Sequence, residues 1–591
     1  MTANTLWKLI PYDDDCNHIA EQLGISILQA TLLFNRGIKS VEDINSFLFP
    51  KLAEIRDPYL MQGMDIAAAK IADAIESKES IGIHGDYDVD GLTSTALLYR
   101  FFTFLSFLKL RNNTSSSKIF FYIPSRISDG YGLSIKGIEA LHTQGVRLLI
   151  TVDCGISNYK EVENAKKLGM DVIVTDHHIA KKNECPNCIV INPNQESCPF
   201  PFKGLAGVGV AFFLAIAVRS ELRNRGFFNG NFEPDLKEYL DFVALGTLAD
   251  NMPVLKDNRA LVVGGIKQIS VSKWKGLKAL MPEYPRHYGE KSEIKVDDII
   301  FRLAPRLNAP GRIDLPDISM NLLISDDSVN IINYTQAIEL ANSRRKEEEK
   351  IVLEEAKSMI CDSMEYKNSL SLVLGAKNWH KGVIGIVASR LVSIYQRPTL
   401  LYVEDKGMAT GSGRSIDGFN LYSAVSELEN LFERFGGHEK AIGFMFKIER
   451  LDDIRYGFEQ IATKRIGADP QAQAINIDAE LSIDSIAEKL VKEIERLAPF
   501  GAENPKPLFL FRNLYCFKKC DVFGNHLKFS VLNSSNKIIK CIGYELAGKK
   551  KLLDFLEPVD IIATPEYSIS DYGKQIILRV KDFCLSDYSK I

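Results

Sequence analysis

Short apolar runs alternate with polar, glycine-punctuated segments through the first half of the chain. SIGIHG, SKIFFYIP, VRLLITVD and MDVIVTD are β-branched runs of strand length, each followed by polar or glycine residues and then by a helical pattern. SNYKEVENAKKLG, between the third and fourth runs, reads as a crossover helix. A βαβ series of this kind predicts an α/β domain with a parallel sheet, whose ligands belong at the carboxyl ends of the strands. A second α/β pattern follows, with LSLVLGAK and PTLLYVED as strands and VIGIVASRLVSIY as a helix between them. The closing pattern is different. LFLFRNLYCFKKCDVFG, HLKFSVLN, KIIKCIGYEL, VDIIATPEYSI and QIILRVKDFCL alternate as successive strands, which predicts a small all-β barrel such as an OB-fold.

Three composition changes divide these patterns. FLFPKLAEIRDPYLM follows a helical lead-in; ANSRRKEEEKIVLEEAK is charge-dense and free of Gly and Pro; IGADPQAQ separates the last two patterned regions. The expected organisation is a helical segment over 1–55, an α/β domain over 56–335, a solvated linker helix over 336–365, a second α/β domain over 366–465 and a β domain over 466–591.

Composition narrows the function classes. Hydrophobic residues at 46% supply several cores, as 591 residues require. Lys+Arg of 72 against Asp+Glu of 76 leaves a net charge of −4, so any basic surface for nucleic acid must be local. The opening MTANTLWKLIPYDDD has neither a basic start nor an apolar run, so no secretory signal is expected. The apolar stretch LAGVGVAFFLAIAV, residues 205–218, is too short for a bilayer and is expected as a buried helix. Ten scattered cysteines suit a reducing cytoplasm, and no membrane association is expected. Cys185 and Cys188, with Cys198 nearby, have zinc-ligand spacing but lack a fourth partner.

Four segments carry candidate chemistry: IHGDYDVDG with His84, Asp86, Asp88 and Asp90; TVDCGIS with Asp153; TDHH with Asp176, His177 and His178; and LGTLAD with Asp250. Each group follows an apolar run and is expected at a strand end. A single Asp-x-Asp is common in turns, and Asp153 alone would serve as a helix cap. Taken together, clustered carboxylates repel one another and need a compensating cation. A mixed oxygen and imidazole donor set suits Mn²⁺ or Mg²⁺, and two such ions acidify a water and hold phosphoryl oxygens.

That ordered set resembles the DHH phosphoesterase family. SRISDGYGLS, FRLAPRLNAPGR, WHKGVIGIVASRL, GSGRSIDGF, FGGHEKAIG and LAPFGAENPKPLF further resemble successive motifs of its RecJ-type members, from about residue 55 onward. The resemblance implies a 5′-to-3′ exonuclease that hydrolyses single-stranded DNA to 5′-mononucleotides in repair and recombination. It implies His84 and Asp88 as ligands of one divalent metal, Asp90, His177 and Asp250 as ligands of a second, and Asp153 as the bridge. His178 is then expected near the scissile phosphate, and Asp86 and Asp176 either orient ligands or assist catalysis. Arg126, Arg306, Arg312 and Arg414, set among glycines, either bind phosphate or pair with nearby carboxylates and caps. Ser412 with Arg414 resembles a pocket for the 5′-terminal phosphate, and His438, on a glycine-rich turn, either faces the DNA strand or the cleft or is a structural turn histidine. RecJ-like chains act as monomers with a RecQ-type helicase and single-strand-binding protein, and their inter-domain groove excludes duplex.

In the β region Phe509, Phe511, Tyr515, Phe517, Phe523 and Phe529 are interleaved with Lys518, Lys519, Lys528 and Lys540, which suits either base stacking or a barrel core. A cyclic-dinucleotide phosphodiesterase or a pyrophosphatase of the same family would be shorter and lack the β domain. A non-catalytic binding relative would have lost ligands, and here every proposed one is present.

Overall fold

A computed structural model describes residues 6–112, 116–126, 129–180, 185–230, 232–281, 294–313, 315–467, 474–517, 520–553, 557–570 and 573–586. The four predicted strands of the first domain form one all-parallel sheet together with a short fifth strand, Ile189–Ile191. Its order is Ile119–Tyr122, Ile81–His84, Leu148–Val152, Asp171–Thr175, Ile189–Ile191. The direction of winding reverses between Ile81–His84 and Leu148–Val152, which opens a crevice beyond their carboxyl ends. Tyr159–Lys167 is the expected crossover helix.

Strand alternation sorts the side chains of Ile81–His84 onto two faces. Ile81 and Ile83 join the core built on the helix Val89–Asn112, while Gly82 packs on Leu141 and Val146, and His84 on Gly137, on the other face. Val89–Asn112 packs on the helices Gly207–Asn224 and Leu240–Ala249. Its stretch Val89–Lys109 is apolar and long enough to cross a bilayer, but 72% of the most apolar window lies inside the protein, where it is the central packing element. The apolar stretch 205–218 is a buried helix as expected, with Val208, Val210, Phe213 and Leu214 fully enclosed.

The linker helix runs from Ser328 to Asp362, beginning earlier than expected, and spans roughly 50 Å at 1.5 Å per residue. It is not solvated all round. Ile338, Ala341, Arg345, Glu349, Val352, Ala356 and Ile360 recur at helical spacing and are buried, two of them charged.

Beyond it, a mixed five-stranded sheet has the order Arg434–Gly437, Ala441–Lys447, Met408–Arg414, Thr399–Asp405, Leu372–Ala376. The glycine-rich GSGR segment is part of a strand, and FGG is a strand instead of the expected turn. A methyl group at Gly411 would lie 2.1 Å from the Phe444 ring, so glycine lets the large cross-strand neighbour lie flat. The predicted helix between the first two strands is Ile384–Tyr395.

The last domain is a barrel of Phe509–Cys516, His526–Leu532, Ile538–Gly543, Val559–Ser570 and Gly573–Leu585, closed by pairing of Tyr515 with Leu532. The expected boundary at 468–473 lies outside the described residues. The N-terminal segment is not a separate unit. Leu6–Leu9 pairs in parallel with Ala474–Ile477, and Cys16, Leu32, Leu33, Ile44 and Phe47 share one core with the barrel's Phe509, Phe511 and Phe583.

Arg259 joins three parts of the chain. It lies on the helix Lys256–Val271 of the first domain and is 1% exposed. Its Nε donates to the Phe47 carbonyl at 2.6 Å and its Nη2 to the Ala498 carbonyl at 2.8 Å, with the guanidinium 3.6 Å from the Phe47 ring centroid. Burial, with Arg36 nearby, pushes its pKa down to about 9, so it remains charged at neutral pH. Arg259→Ala would remove the donor to the buried Phe47 carbonyl and to the part-buried Ala498 carbonyl, and a loss of about 3 kcal/mol is expected in urea-induced unfolding. An unchanged unfolding midpoint would refute this role.

Candidate active site

The crevice at the strand reversal gathers the acidic groups. Asp86 and Asp88 lie on the loop leaving Ile81–His84, and Asp88 Oδ1 accepts the Asp90 and Gly91 amides at 3.1 Å, capping the core helix. Asp90 sits in the first turn of that helix and caps another. Its two oxygens accept the Gly207 and Val208 amides at 2.6 and 2.8 Å. Asp153 follows Leu148–Val152 with φ of 60°, a region that non-glycine residues occupy at a cost. It caps no helix, because the N-cap of the following helix is Asn158. A methyl group at Gly207 would lie 2.6 Å from Asp153 Cβ, so glycine lets the helix end close over this carboxylate. Asp250 ends the helix Leu240–Ala249; the expectation that every group ends a strand fails for this one.

Asp176 arranges the histidines. Its Oδ1 accepts the His177 amide at 2.7 Å, the His178 amide at 3.1 Å and His178 Nδ1 at 2.8 Å, and its Oδ2 accepts the Ile156 amide at 2.9 Å. Burial opposes ionisation of both partners. Their contact still holds Asp176 below its ordinary value and lifts His178 to about 9. His177, by contrast, is driven down to about 4 by burial and by the His178 charge. Its neutral Nε2 lies 3.0 Å from Asp153 Oδ1, 3.6 Å from Asp250 Oδ2 and 3.8 Å from Asp90 Oδ2.

Ligand atoms of Asp86, Asp88 and Asp153 lie within 4.8 Å of one another, as do those of Asp90, His177 and Asp250, and those of Asp153, His177 and His178. Buried Asp86 Oδ1, Asp153 Oδ1 and His177 Nε2 have no hydrogen-bond partner. Unanswered acceptors facing a shared space are the donor set of a hard divalent cation. The residues therefore fit Mn²⁺ or Mg²⁺, and Asp153 stands between the two groups.

One expected ligand falls outside. His84 is completely buried, its Nε2 is 3.4 Å from Ser134 Oγ, and it belongs to no three-ligand group. It points to the face of the sheet opposite the core helix, and Asp86 takes its place beside Asp88 and Asp153. Cys185 and Cys188 likewise join no such group among the described residues.

A basic basin adjoins the acidic one. The Arg126 guanidinium lies 5.3 Å from the Tyr87 ring centroid. Burial, with Arg126, Arg345 and Arg414 near, pushes Arg312 down to about 9; burial and Arg126 push Arg414 to about 10. Arg414 Nη1 donates to Ser412 Oγ at 2.8 Å. Arg312 Nη1 donates to the Gly382 carbonyl at 3.2 Å. Arg306 does not join them, because it is engaged by the Leu280 carbonyl and Glu339. Arg345, hidden in the charge-dense linker, adds its charge near Arg312 but is itself engaged by Glu349 and Asn342. His438 follows the strand Arg434–Gly437, and Arg414 and His178 add to the burial that lowers its pKa. Tyr131 was also not singled out, although it sits in the DGYG motif. Its hydroxyl lies 3.0 Å from His178 Nδ1 and donates to the Asp153 carbonyl at 3.4 Å.

On the barrel, Phe509, Phe511 and Phe529 are core, whereas Tyr515, Phe523 and Tyr544 are exposed. His526 lies between Phe523 and Tyr544, with ring centroids 5.2 and 5.1 Å away. Lys528 and Arg579 flank them at 5.2 and 5.0 Å from the rings. Lys518 and Lys519 lie outside the described residues.

Three family models match the chain: the DHH family N-terminal domain at 80–247, the DHHA1 domain at 368–464 and the RecJ OB domain at 477–582. The chain is 35% identical to the single-stranded-DNA-specific exonuclease RecJ of Bacillus subtilis, covering 100% of this chain and 72% of that one. It is 34% identical to that of Dickeya dadantii, covering 95% and 94%. The crystal structure of RecJ in complex with Mn²⁺ from Thermus thermophilus superposes with a TM-score of 0.80 at 27% identity, over 99% of this chain and 80% of that one.

Burial, reinforced by neighbouring carboxylates, raises Asp90 to about 7 and Asp250 to about 8. The metal-free fold therefore retains protons that an unfolded chain has released. The contribution of these two groups to its stability is full below about pH 4 and is lost as pH rises through 7 and 8. Mn²⁺ competes with those protons, so the rise in melting temperature it produces should be larger near pH 8.5 than near about pH 6. A shift independent of pH would contradict the ligand assignment.

Proposed function

The chain belongs to the RecJ family of DHH phosphoesterases, and from that premise we propose a 5′-to-3′ exonuclease that hydrolyses single-stranded DNA to 5′-mononucleotides, with Mn²⁺ or Mg²⁺ as cofactor. The observation that carries this reading is the set of unanswered buried acceptors on Asp86, Asp153 and His177 at the strand reversal. Asp86 and Asp88 would hold one ion, Asp90, His177 and Asp250 the other, with Asp153 shared. Divalent ions bound there supply Lewis acidity to a water and to the phosphoryl oxygens.

The chain's own residues supply the rest. Asp176 fixes both histidines, and protonated His178, partly exposed beside Asp153, offers positive charge to the scissile phosphate. Arg126, Arg312, Arg414 and Ser412 form a basin suited to a terminal phosphate, with His438 at its edge. Hydrolysis breaks the bond from phosphorus to the 3′ oxygen of the end nucleotide. The nucleotide leaves with its 5′-phosphate, and the shortened strand presents a new one to the same basin. The Phe523–His526–Tyr544 ladder is a stacking face for further bases.

We further propose action in the cytoplasm as a monomer, together with a RecQ-type helicase and single-strand-binding protein in repair and recombination. Ten scattered cysteines support a reducing compartment, and family resemblance supports the partners.

With Mn²⁺ and single strands labelled at either end, early release of the 5′ label as mononucleotide is expected. Degradation from the 3′ end would sink the reading. Asp153→Ala should abolish turnover while single-strand binding in EDTA stays largely intact. On the barrel, Phe523→Ala or Tyr544→Ala should each weaken single-strand binding roughly fivefold, about 1 kcal/mol. Phe511→Ala, in the core, should instead destabilise the fold by about 3–5 kcal/mol. Titration of a labelled oligonucleotide and urea unfolding distinguish the two outcomes.

A further inference from the structure

The acidic run at 347–349 treats its members unequally. Glu347 is exposed and Glu348 half-buried, but Glu349 is 2% exposed. A buried carboxylate is costly unless paired. Arg345 Nη1, one helical turn back, lies 3.1 Å from Glu349 Oε2, and its Nη2 donates to Asn342 Oδ1 at 3.0 Å. Across the domain boundary, Arg390 Nε lies 2.6 Å from Glu349 Oε1, an oxygen with no hydrogen bond of its own.

Arg390 belongs to the helix Ile384–Tyr395, which packs on the linker on one side and on the strand Met408–Arg414 on the other. The first turn of this helix forms a wall of the basic basin. A methyl group at Gly385 would lie 3.1 Å from both Ser412 Oγ and Arg414 Nη2. Just before it, the Gly382 carbonyl accepts from Arg312, and a methyl group at Gly382 would lie 2.0 Å from the Arg312 carbonyl oxygen. One short helix therefore carries the Glu349 joint and the pocket wall, separated by little more than a turn.

We infer that Glu349 is a positioning residue for the terminal-phosphate pocket: by holding Arg390 it sets the helix Ile384–Tyr395, and with it Ser412 and Arg414, against Arg126 and Arg312. This rests on the reading of that basin as the site of the 5′-phosphate. Removing the negative charge leaves Arg345 and Arg390 facing each other, and the helix must shift to separate them.

The test compares 5′-phosphorylated with 5′-hydroxyl single strands in steady-state kinetics of the full chain with Mn²⁺, using Arg414→Ala as reference. Glu349→Gln should raise KM for the phosphorylated strand roughly tenfold, with kcat within about twofold and little change for the hydroxyl strand. Arg390→Gln should act similarly, and the double variant should add nothing further, because the joint is already lost. If Arg414→Ala shows the end-dependent loss and Glu349→Gln does not, the inference falls and the pocket stands. If neither shows it, the pocket reading falls and takes the inference with it. Equal KM increases on both strands, a fall in kcat alone, or additive single effects would also overturn it.

Discussion

Mutual repulsion among five carboxylates at one end of a parallel sheet is the constraint on which the first domain turns. Asp86, Asp88, Asp90, Asp153 and Asp250 meet where the winding of the sheet reverses, with Asp86, Asp90 and Asp153 buried and Asp88 and Asp250 half-buried. Local structure offsets part of this cost. Asp88 and Asp90 each accept orphan amides at a helix start, so peptide dipoles answer some of the charge. Asp153 is kept in an unfavourable backbone region of about 1–3 kcal/mol, with the glycine at 207 packed against it. These arrangements hold acceptors in place without satisfying them, which makes a site receptive to a cation and not merely tolerant of one.

The arginine basin inverts that logic. Arg126, Arg312 and Arg414 crowd like charges into one basin, yet they do not neutralise the nearby acids. Arg126 acts on both sides, offsetting a little of the burial that raises Asp86 and pushing Arg312 and Arg414 down. Opposite charges are thus kept in separate pools a short distance apart. A polyanion with a charged end satisfies both, its terminus in one and its next linkage, through cations, at the other.

Much of this was legible in residue order. Four of the five strands of the first domain, the buried 205–218 segment and the strands of the barrel follow period and turn chemistry. The failures have physical causes. GSGR and FGG lack side-chain alternation, so strand pairing among glycines left no pattern. Charge density made the linker read as solvated, although Arg345 and Glu349 bury each other at i,i+4 spacing. His84 has a metal-ligand identity, but strand alternation points it away from the cluster, and a position two residues on serves instead. Among the aromatics of the barrel strands, only three-dimensional placement separates exposed Phe523 from buried Phe511.

The parallel pairing of Leu6–Leu9 with Ala474–Ile477 has a consequence for how the molecule is made. The N-terminal helices leave the ribosome first, but the barrel that completes their core is synthesised last. Leu32, Leu33, Ile44 and Phe47 must therefore wait, unpaired, while both α/β domains are translated and folded. Contacts that span so much of the chain are slow to form, because a long loop must close before they give any return. Closing this core is therefore a late step, and until it is taken the apolar faces of the N-terminal helices stay open to aggregation.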